Sequence, residues 1–307
     1  MSLETDLLLD RRRLKRRLVF WRSFSIAALT CAAIALLHDA GLSIAGAHVA
    51  RLPISGIITD DRKLTQSIAK LADDPDVKAL IVAIDSPGGS VAGGESLYRA
   101  IGAVAAKKPV VAVMAGTAAS AGYMIALPAE RIFARDATIT GSIGVLLETG
   151  EISGLLGKLG VTAEAIASGA LKDQPSLTRP LSPAGRDVLR GLVMDMYDQF
   201  VAMVVAGRKM DPARVRELAD GRPYTGRQAV GLGLIDAIGG ETEARSWLAA
   251  NKGISADLPT TDVSTQGLAE RTLSGTLSPM LEFVWKTLIS QSVRLDGAWA
   301  IWQRPPG

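Results

Sequence analysis

The sequence predicts an α/β fold, a parallel sheet with helical crossovers, preceded by one N-terminal transmembrane helix. Three observations predict it. From about residue 51 short apolar runs alternate with amphipathic helical segments, the pattern of a parallel sheet. Lys78–Asp85 carries Ala-Leu-Ile-Val-Ala-Ile, the continuous apolar texture of a strand buried on both faces. Residues 18–37 are a 20-residue, mostly apolar stretch, long enough to span a bilayer core.

The N-terminus divides into a basic segment, 1–17, and an anchor, 18–40. Arg11-Arg12-Arg13-Leu14-Lys15-Arg16-Arg17 lies immediately before the apolar run and supplies the excess behind a net charge of only +3. By the positive-inside rule this places the N-terminus in the cytoplasm and the bulk of the chain on the other side. Arg22 sits about one turn in, where it can snorkel to the headgroups. A cleavable signal peptide is the rival reading, since Ala45-Gly46-Ala47 has the small-x-small form of a cleavage site. The only cysteine, Cys31, falls in the apolar run, so no internal disulfide or thiolate metal site forms.

The catalytic candidates fall in a domain spanning 48–250. Leu52–Ile58 reads as its first strand, and Asp60–Leu71 as a helix capped by Asp60 with Leu64, Ile68 and Leu71 on one face. After strand 78–85, Ser86-Pro87-Gly88-Gly89-Ser90 reads as a turn, Val91–Ala106 as a helix and Pro109–Met114 as the next buried strand. The stretch from Gly116 to Ala126 places Ser120 among glycines and alanines at a strand-to-helix junction. There a hydroxyl faces the positive end of a helix dipole and a peptide backbone can approach closely. The same small residues would equally serve close helix–sheet packing. A helix to about Leu127 follows, then strands at Arg131–Ala134, Ala137–Thr140 and Val161–Ala167. Ser182 and Pro183 open a long helix. Its apolar pairs, from Val188/Leu189 to Val204/Val205, recur every four residues as a core-facing stripe. Asp211–Ala219, a strand at Leu234–Ile238 and a helix at Glu241–Ala249 close the domain. Residues 251–307 change texture: Thr260–Ser278 reads as a linker, and Met280–Trp302 as an amphipathic, Trp-rich segment suited to a membrane interface or a neighbouring subunit.

If Ser120 is a nucleophile it needs a base. The two histidines, His38 and His48, both precede the domain's first strand and are poorly placed for a Ser-His-Asp triad. Lysine is the next candidate. A lysine titrates near 10.4 in water and must fall to about 7–8 to serve, a cost of roughly 4 kcal/mol that burial among apolar groups can supply. Lys172, in Gly169-Ala170-Leu171-Lys172-Asp173, has small and apolar neighbours, although a loop lysine is ordinarily a solvated charge. Gly88 and Gly89 can offer backbone N–H groups to an oxyanion, or simply make a tight turn. Ser142, between Gly141 and Ile143, can hydrogen-bond near the lysine, or be a turn serine.

Taken together and in order, these motifs resemble the bacterial signal peptide peptidase family of membrane-associated serine proteases, in its short form, related in fold to the Clp protease and the crotonases. The resemblance rests on Asp85-Ser86-Pro87-Gly88-Gly89-Ser90, Gly116 to Ala126, Thr140-Gly141-Ser142-Ile143-Gly144-Val145, Ser168-Gly169-Ala170-Leu171-Lys172-Asp173, and Gly221-Arg222-Pro223-Tyr224-Thr225-Gly226 leading to Gly233-Leu234-Ile235-Asp236. It covers residues 51–250, and its serine and lysine stand 52 residues apart. It implies Ser120 as nucleophile, Lys172 as general base, Ser142 hydrogen-bonded to that lysine, and Gly88 and Gly89 at the oxyanion hole. Ala170 stands where many members carry a second lysine. The resemblance also implies a crotonase/Clp-protease-like sheet and a ring-shaped homo-oligomer whose active sites can draw on neighbouring subunits. The expected protein is a serine endopeptidase anchored in the bacterial inner membrane, with its catalytic domain on the periplasmic side. Its expected substrates are hydrophobic peptides such as cleaved signal peptides. No metal or organic cofactor is expected. The lack of a basic stripe in the soluble region argues against nucleic acid. A non-catalytic membrane scaffold on the same fold is the alternative.

Overall fold

The computed structural model describes residues 17, 20–26, 29, 46–263 and 299–301. The chain divides into two compact units, 1–46 and 47–307. In the first, α1 is described at residues 17, 20–26 and 29, where Trp21 stacks edge-to-face on Phe20 and Phe24. The anchor expected over 18–40 lies largely outside the described residues. Among those described, no helix is long and apolar enough to cross a membrane.

The second unit is built on β1 (His48–Ile58), β2 (Val77–Ser90), β3 (Val110–Ala119) and β4 (Arg131–Ala134), which run parallel. Between them pass α2 (Arg62–Leu71), α3 (Val91–Ala105) and the four-residue α4 (Ala121–Met124). Strand periodicity explains the two cores. Leu52, Leu80, Val82, Ile84, Ala112, Met114 and Ile132 point to one face, against Ile68 of α2 and Leu97 and Ile101 of α3. Val49, Ala79, Ile81, Val111 and Phe133 point to the other, beneath Ala244 and Leu248 of α9 (Glu241–Lys252). Both faces are covered, so the strands are apolar at nearly every position.

The sheet splits at β3. Val111–Met114 pair with β4, whereas Thr117–Ala119 pair with β5 (Ile139–Gly141). An antiparallel β6 (Pro223–Thr225) adds to β5, β7 (Ala237–Ile238) to β4, and β8 (Thr260–Asp262) to the outer edge of β1. The rest of the unit comprises α5 (Ser153–Lys158), α6 (Pro183–Arg208), α7 (Pro212–Leu218) and α8 (Gly226–Gly231). β9 (Trp299–Ile301) pairs antiparallel with the end of β2.

Several expectations need correction. The cap of α2 is Asp61, whose carboxylate accepts from the Lys63 and Leu64 N–H groups. Residues 86–90 are not a turn but the end of β2, held extended by pairing with Ile57 and Ile58. No strand forms at 161–167: no neighbour pairs with it, and Ile166 is 98% exposed. Helix α6 begins as expected, at Pro183 with Ser182 capping Gly185 N–H. Only its second half meets the core, through Phe200, Val201 and Val204, while Val188, Leu192 and Met194 are exposed. The strand expected over 234–238 shrinks to Ala237–Ile238, and Leu234 and Ile235 are buried in the preceding turn. Within the segment read as linker, Thr260–Asp262 form β8, and Arg51 ties Asp262 to Glu241. Trp299–Ile301, read as the end of the amphipathic segment, are a strand, and residues 264–298 lie outside the described part.

The Gly233-Leu234-Ile235-Asp236 motif has a structural explanation. Arg208, at the end of α6, donates from Nη2 and Nη1 to the two Asp236 oxygens at 2.7 and 3.0 Å and from Nε to Gly233 C=O. Asp236 also accepts from Ile132 N–H of β4 at 2.8 Å. Burial would raise the Asp236 carboxyl, but the bonds from Arg208 and Ile132 outweigh it and hold the group below its ordinary value. The Arg208 side chain is only 9% exposed, so removing its partner strands a buried charge. Asp236→Ala is therefore expected to destabilise the fold by about 3–5 kcal/mol at pH 7 in urea denaturation. A depressed carboxyl stabilises above its unfolded value and loses that contribution as pH falls through the folded one. The gap between parent and variant should thus persist at pH 5 and close only below about pH 4. A cost under 1 kcal/mol at pH 7 would contradict this role.

Candidate active site

Ser120 stands where β3 ends and α4 begins. Its backbone is at φ 55°, ψ −120°, a conformation disfavoured for any residue with a Cβ. Three neighbours hold it there. Ser120 N–H donates to Gly141 C=O at 2.8 Å, while Tyr123 and Met124 N–H both donate to Ser120 C=O at 2.9 Å. Gly122 lies so close to β2 that a Cβ there would stand 2.8 Å from Ser86 C=O. The sharp strand-to-helix turn, with a serine at its apex, is the arrangement by which other hydrolases present a nucleophile. Below it, Tyr123 is fully buried and donates to Leu234 C=O at 2.7 Å, and burial pushes its phenol upward.

Ser142 follows β5 and also has positive φ, 49°. Its N–H donates to Arg222 C=O, and Gly221 N–H donates to Ile143 C=O, so the 141–144 turn is strapped to the 220–222 loop. Gly141 is obligatory here: at φ +74° a Cβ would stand 2.6 Å from the Tyr224 ring. Ser120 and Ser142 share one open cavity of about 600 Å³. The wall is mostly apolar, with Val145, Leu146, Val193, Met194 and Tyr197 among its residues, and Asp220 also contributes. Arg222 pairs with Asp220 and holds its carboxyl below the ordinary range.

Gly88 and Gly89 lie at the end of β2, two strand positions beyond the level at which Ser86 pairs with Ala118. Ser86 is fully buried and organises this bend. Its Oγ donates to Gly56 C=O at 2.6 Å and accepts Gly88 N–H at 3.1 Å. Gly56 sits in a β1 irregularity at φ +70°. Gly89 tolerates no side chain, since a Cβ would stand 1.9 Å from Ile58 C=O. The N–H groups of Ser120 and Gly88 are thus both engaged within the protein. Ala121 N–H, at the first position of α4, has no intrahelical acceptor.

Lys172 is placed differently. It is exposed, its N–H donates to Gly169 C=O, and it is not among the residues lining the cavity. The next residue, Asp173, pairs with Arg179. Within one chain the structure brings Ser120 and Ser142 together and does not bring Lys172 to them. The stretch of sequence that carries the lysine, residues 155–177, exposes the apolar side chains of Leu155, Leu159, Val161, Leu171 and Leu177. His48 begins β1, at the opposite end of the parallel strands from Ser120, about 30 Å away at 3.3 Å per residue. His38 lies outside the described residues. Sequence reasoning missed Ser86, Ala121 and the α6 residues Val193, Met194 and Tyr197. Ser86 gave no signal beyond its motif, and the α6 residues were hidden within an apolar stripe read as core. Among the described residues no cluster of metal-ligating side chains occurs.

Comparisons with known proteins agree with this geometry. The model of peptidase family S49 matches residues 103–255, and that of the Clp protease matches residues 55–140. A Synechocystis sp. protein named as a protease is 40% identical over 68% of this chain and 76% of its own length. A protein of Enterococcus faecium named signal peptide peptidase SppA is 38% identical over 67% of this chain and 64% of its own. Protease 4 of Salmonella typhi is 37% identical over 54% of this chain but 27% of its own length. The α/β core, its strand-turn-helix serine and these matches lead to one conclusion: the chain belongs to peptidase family S49 and is a serine-type peptidase.

Proposed function

We propose that this chain is a membrane-anchored endopeptidase that degrades hydrophobic peptides, cleaved signal peptides among them, by a Ser120–Lys172 dyad assembled between copies of the chain. The observation that carries the reading is the pairing of Ser120, on its strained turn, with an open and largely apolar cavity. Such a cavity favours apolar side chains beside the scissile bond. The basic run at 11–17 ahead of an apolar stretch supports an anchor in the bacterial inner membrane, with the catalytic unit on the periplasmic side.

Acylation begins as Ser120 Oγ attacks the scissile carbonyl and neutral Lys172 takes its proton. The oxyanion is met by the backbone N–H groups of Gly89 and Ala121, while the Gly88 N–H, held by Ser86 Oγ, fixes the bend. Lys172 then passes the proton to the leaving amine. Deacylation repeats the cycle with water, which Lys172 deprotonates for attack on the acyl carbonyl. Ser142, in the same cavity as Ser120, hydrogen-bonds the lysine and fixes its direction. The lysine comes from a neighbouring copy. In one chain Lys172 is exposed, in a stretch of sequence whose Leu155, Leu159, Leu171 and Leu177 are exposed too, a surface that a second copy would bury. That burial also supplies the desolvation a basic lysine needs.

With a fluorogenic apolar peptide, Ser120→Ala and Lys172→Ala are each expected to lower kcat by several orders of magnitude while folding and assembling normally. Co-assembling the two inactive variants should restore part of the activity, because some junctions then hold both native residues. A mixture as inactive as its components rejects the shared site. A folded, assembled parent that cleaves none of a broad peptide panel turns the reading to a scaffold that binds apolar segments without cutting them. Ser86→Ala, which frees the Gly88 bend without touching the reacting atoms, should reduce kcat by about tenfold or more and leave KM nearly unchanged. A rise in KM at constant kcat would mean that Ser86 shapes substrate binding instead.

A further inference from the structure

A glycine inside a helix leads to the loop that carries Lys172. In α6, Gly185 is the one buried residue before Phe200, and it lies within the first turn. Glycine is among the poorest helix formers, so a buried one in a helix calls for a reason in packing. The reason is the side chain of Gln174. A Cβ at Gly185 would stand 2.9 Å from Gln174 Cδ. Gln174 Oε1 accepts from Ser182 N–H at 3.1 Å and from Ser182 Oγ at 3.4 Å, and Ser182 Oγ in turn accepts Gly185 N–H at 3.0 Å. The amide of Gln174 is therefore seated on the capped first turn of α6, in the space that the glycine leaves.

Gln174 follows Lys172 by two residues. Beyond it the chain is held again, by Ser176, which is buried, and by Leu177 C=O, which accepts Ile152 N–H at 2.8 Å. Before it, every residue from Val161 to Lys172 is exposed. The course of the loop at Lys172 is thus set from its C-terminal side, and the Gln174 seat is the attachment to α6 closest to the lysine. A base on a loop works only where that loop is fixed, because small misplacements of a reacting group are costly.

We propose that Gln174 is a positioning residue for the reaction: seated on the first turn of α6, it fixes the loop that presents Lys172 to the serine. The role rests on the reading of Lys172 as the base, whereas the seating of Gln174 on α6 does not.

Gln174→Ala, Gly185→Ala and the double variant of the full-length, assembled protein test this. Gln174→Ala empties the seat. Gly185→Ala favours the helix but fills the seat, so the end of Gln174 must leave. With a fluorogenic apolar peptide, each single variant should lower kcat about tenfold or more and leave KM within about twofold. The acid limb of the kcat profile should move to higher pH, since a loosened amine is better hydrated and holds its proton more firmly. A merely structural role would shrink the active fraction without moving that limb. The double variant should lose no more than the worse single one, because both changes remove one contact. On a Ser120→Ala background, amide exchange at 172–178 should quicken about tenfold in both single variants, with Val110–Met114 unchanged. An unchanged kcat, an unmoved acid limb, unchanged exchange at 172–178, or losses that multiply in the double variant overturn the proposal. If the parent cleaves no peptide, or Lys172→Ala retains full activity, the base reading fails and the positioning role falls with it, while faster exchange still identifies the seat.

Discussion

Everything near the candidate site depends on the backbone of Ser120 being held at positive φ. A strand that simply ran on into a helix would aim its last side chain into the sheet or along it. At φ 55° the chain doubles back and the serine is left at the apex of the turn. Strain of this kind costs on the order of 1–3 kcal/mol and survives only where its surroundings over-determine it. Here they do. Gly141 C=O takes the Ser120 N–H, two α4 amides converge on the Ser120 carbonyl, and Gly122 packs on β2 with no room for a side chain. The split of β3 is what makes this possible. By exchanging β4 for β5 along its length, β3 brings the Gly141 carbonyl beneath the turn and Ser142 into the same cavity.

A second consequence of the split concerns β2. A strand at the centre of a parallel sheet normally has partners on both edges throughout. Because β3 leaves early, the end of β2 keeps β1 as its neighbour as far as Gly89 and takes β9 on its other edge. Ser86 compensates from inside, tying Gly56 of β1 to Gly88 of β2 through one hydroxyl. The bend is therefore tied on its β1 side, while β3 leaves it on the serine side. The turn that presents Ser120 and the strand edge that it uncovers arise from one departure of one strand.

Much of this was legible in the sequence because the relevant physics is local. Continuous apolar runs placed β1 to β4, and a capping serine followed by proline placed the start of α6, where Ser182 accepts from Gly185 N–H. Ser120 and Ser142 line one cavity, and Gly88 and Gly89 follow the level at which Ser86 pairs with Ala118 of β3. What was not legible depends on partners far away in the chain. Residues 86–90 contain Pro-Gly-Gly and read as a turn, yet pairing with Ile57 and Ile58 keeps them extended. Val161–Ala167 had strand composition and no strand to join. The apolar stripe of α6 was read as uniformly buried, since periodicity reports which face is apolar and not what covers it. Its middle, at Val193, Met194 and Tyr197, lines the cavity instead.

The same distinction bears on Lys172, which a single chain leaves exposed and away from the cavity that Ser120 and Ser142 line. The region carrying Lys172 has the composition of a core and the exposure of a surface: Leu155, Leu159, Leu171 and Leu177 are all more than 40% exposed. Exposed side chains of this kind clustered in one region mark an interaction surface rather than a finished fold. On the proposed reading, covering this surface with a second copy brings the Lys172 amine to Ser120. Peptide-bond cleavage would then belong to the assembled oligomer, and the isolated chain would lack its base.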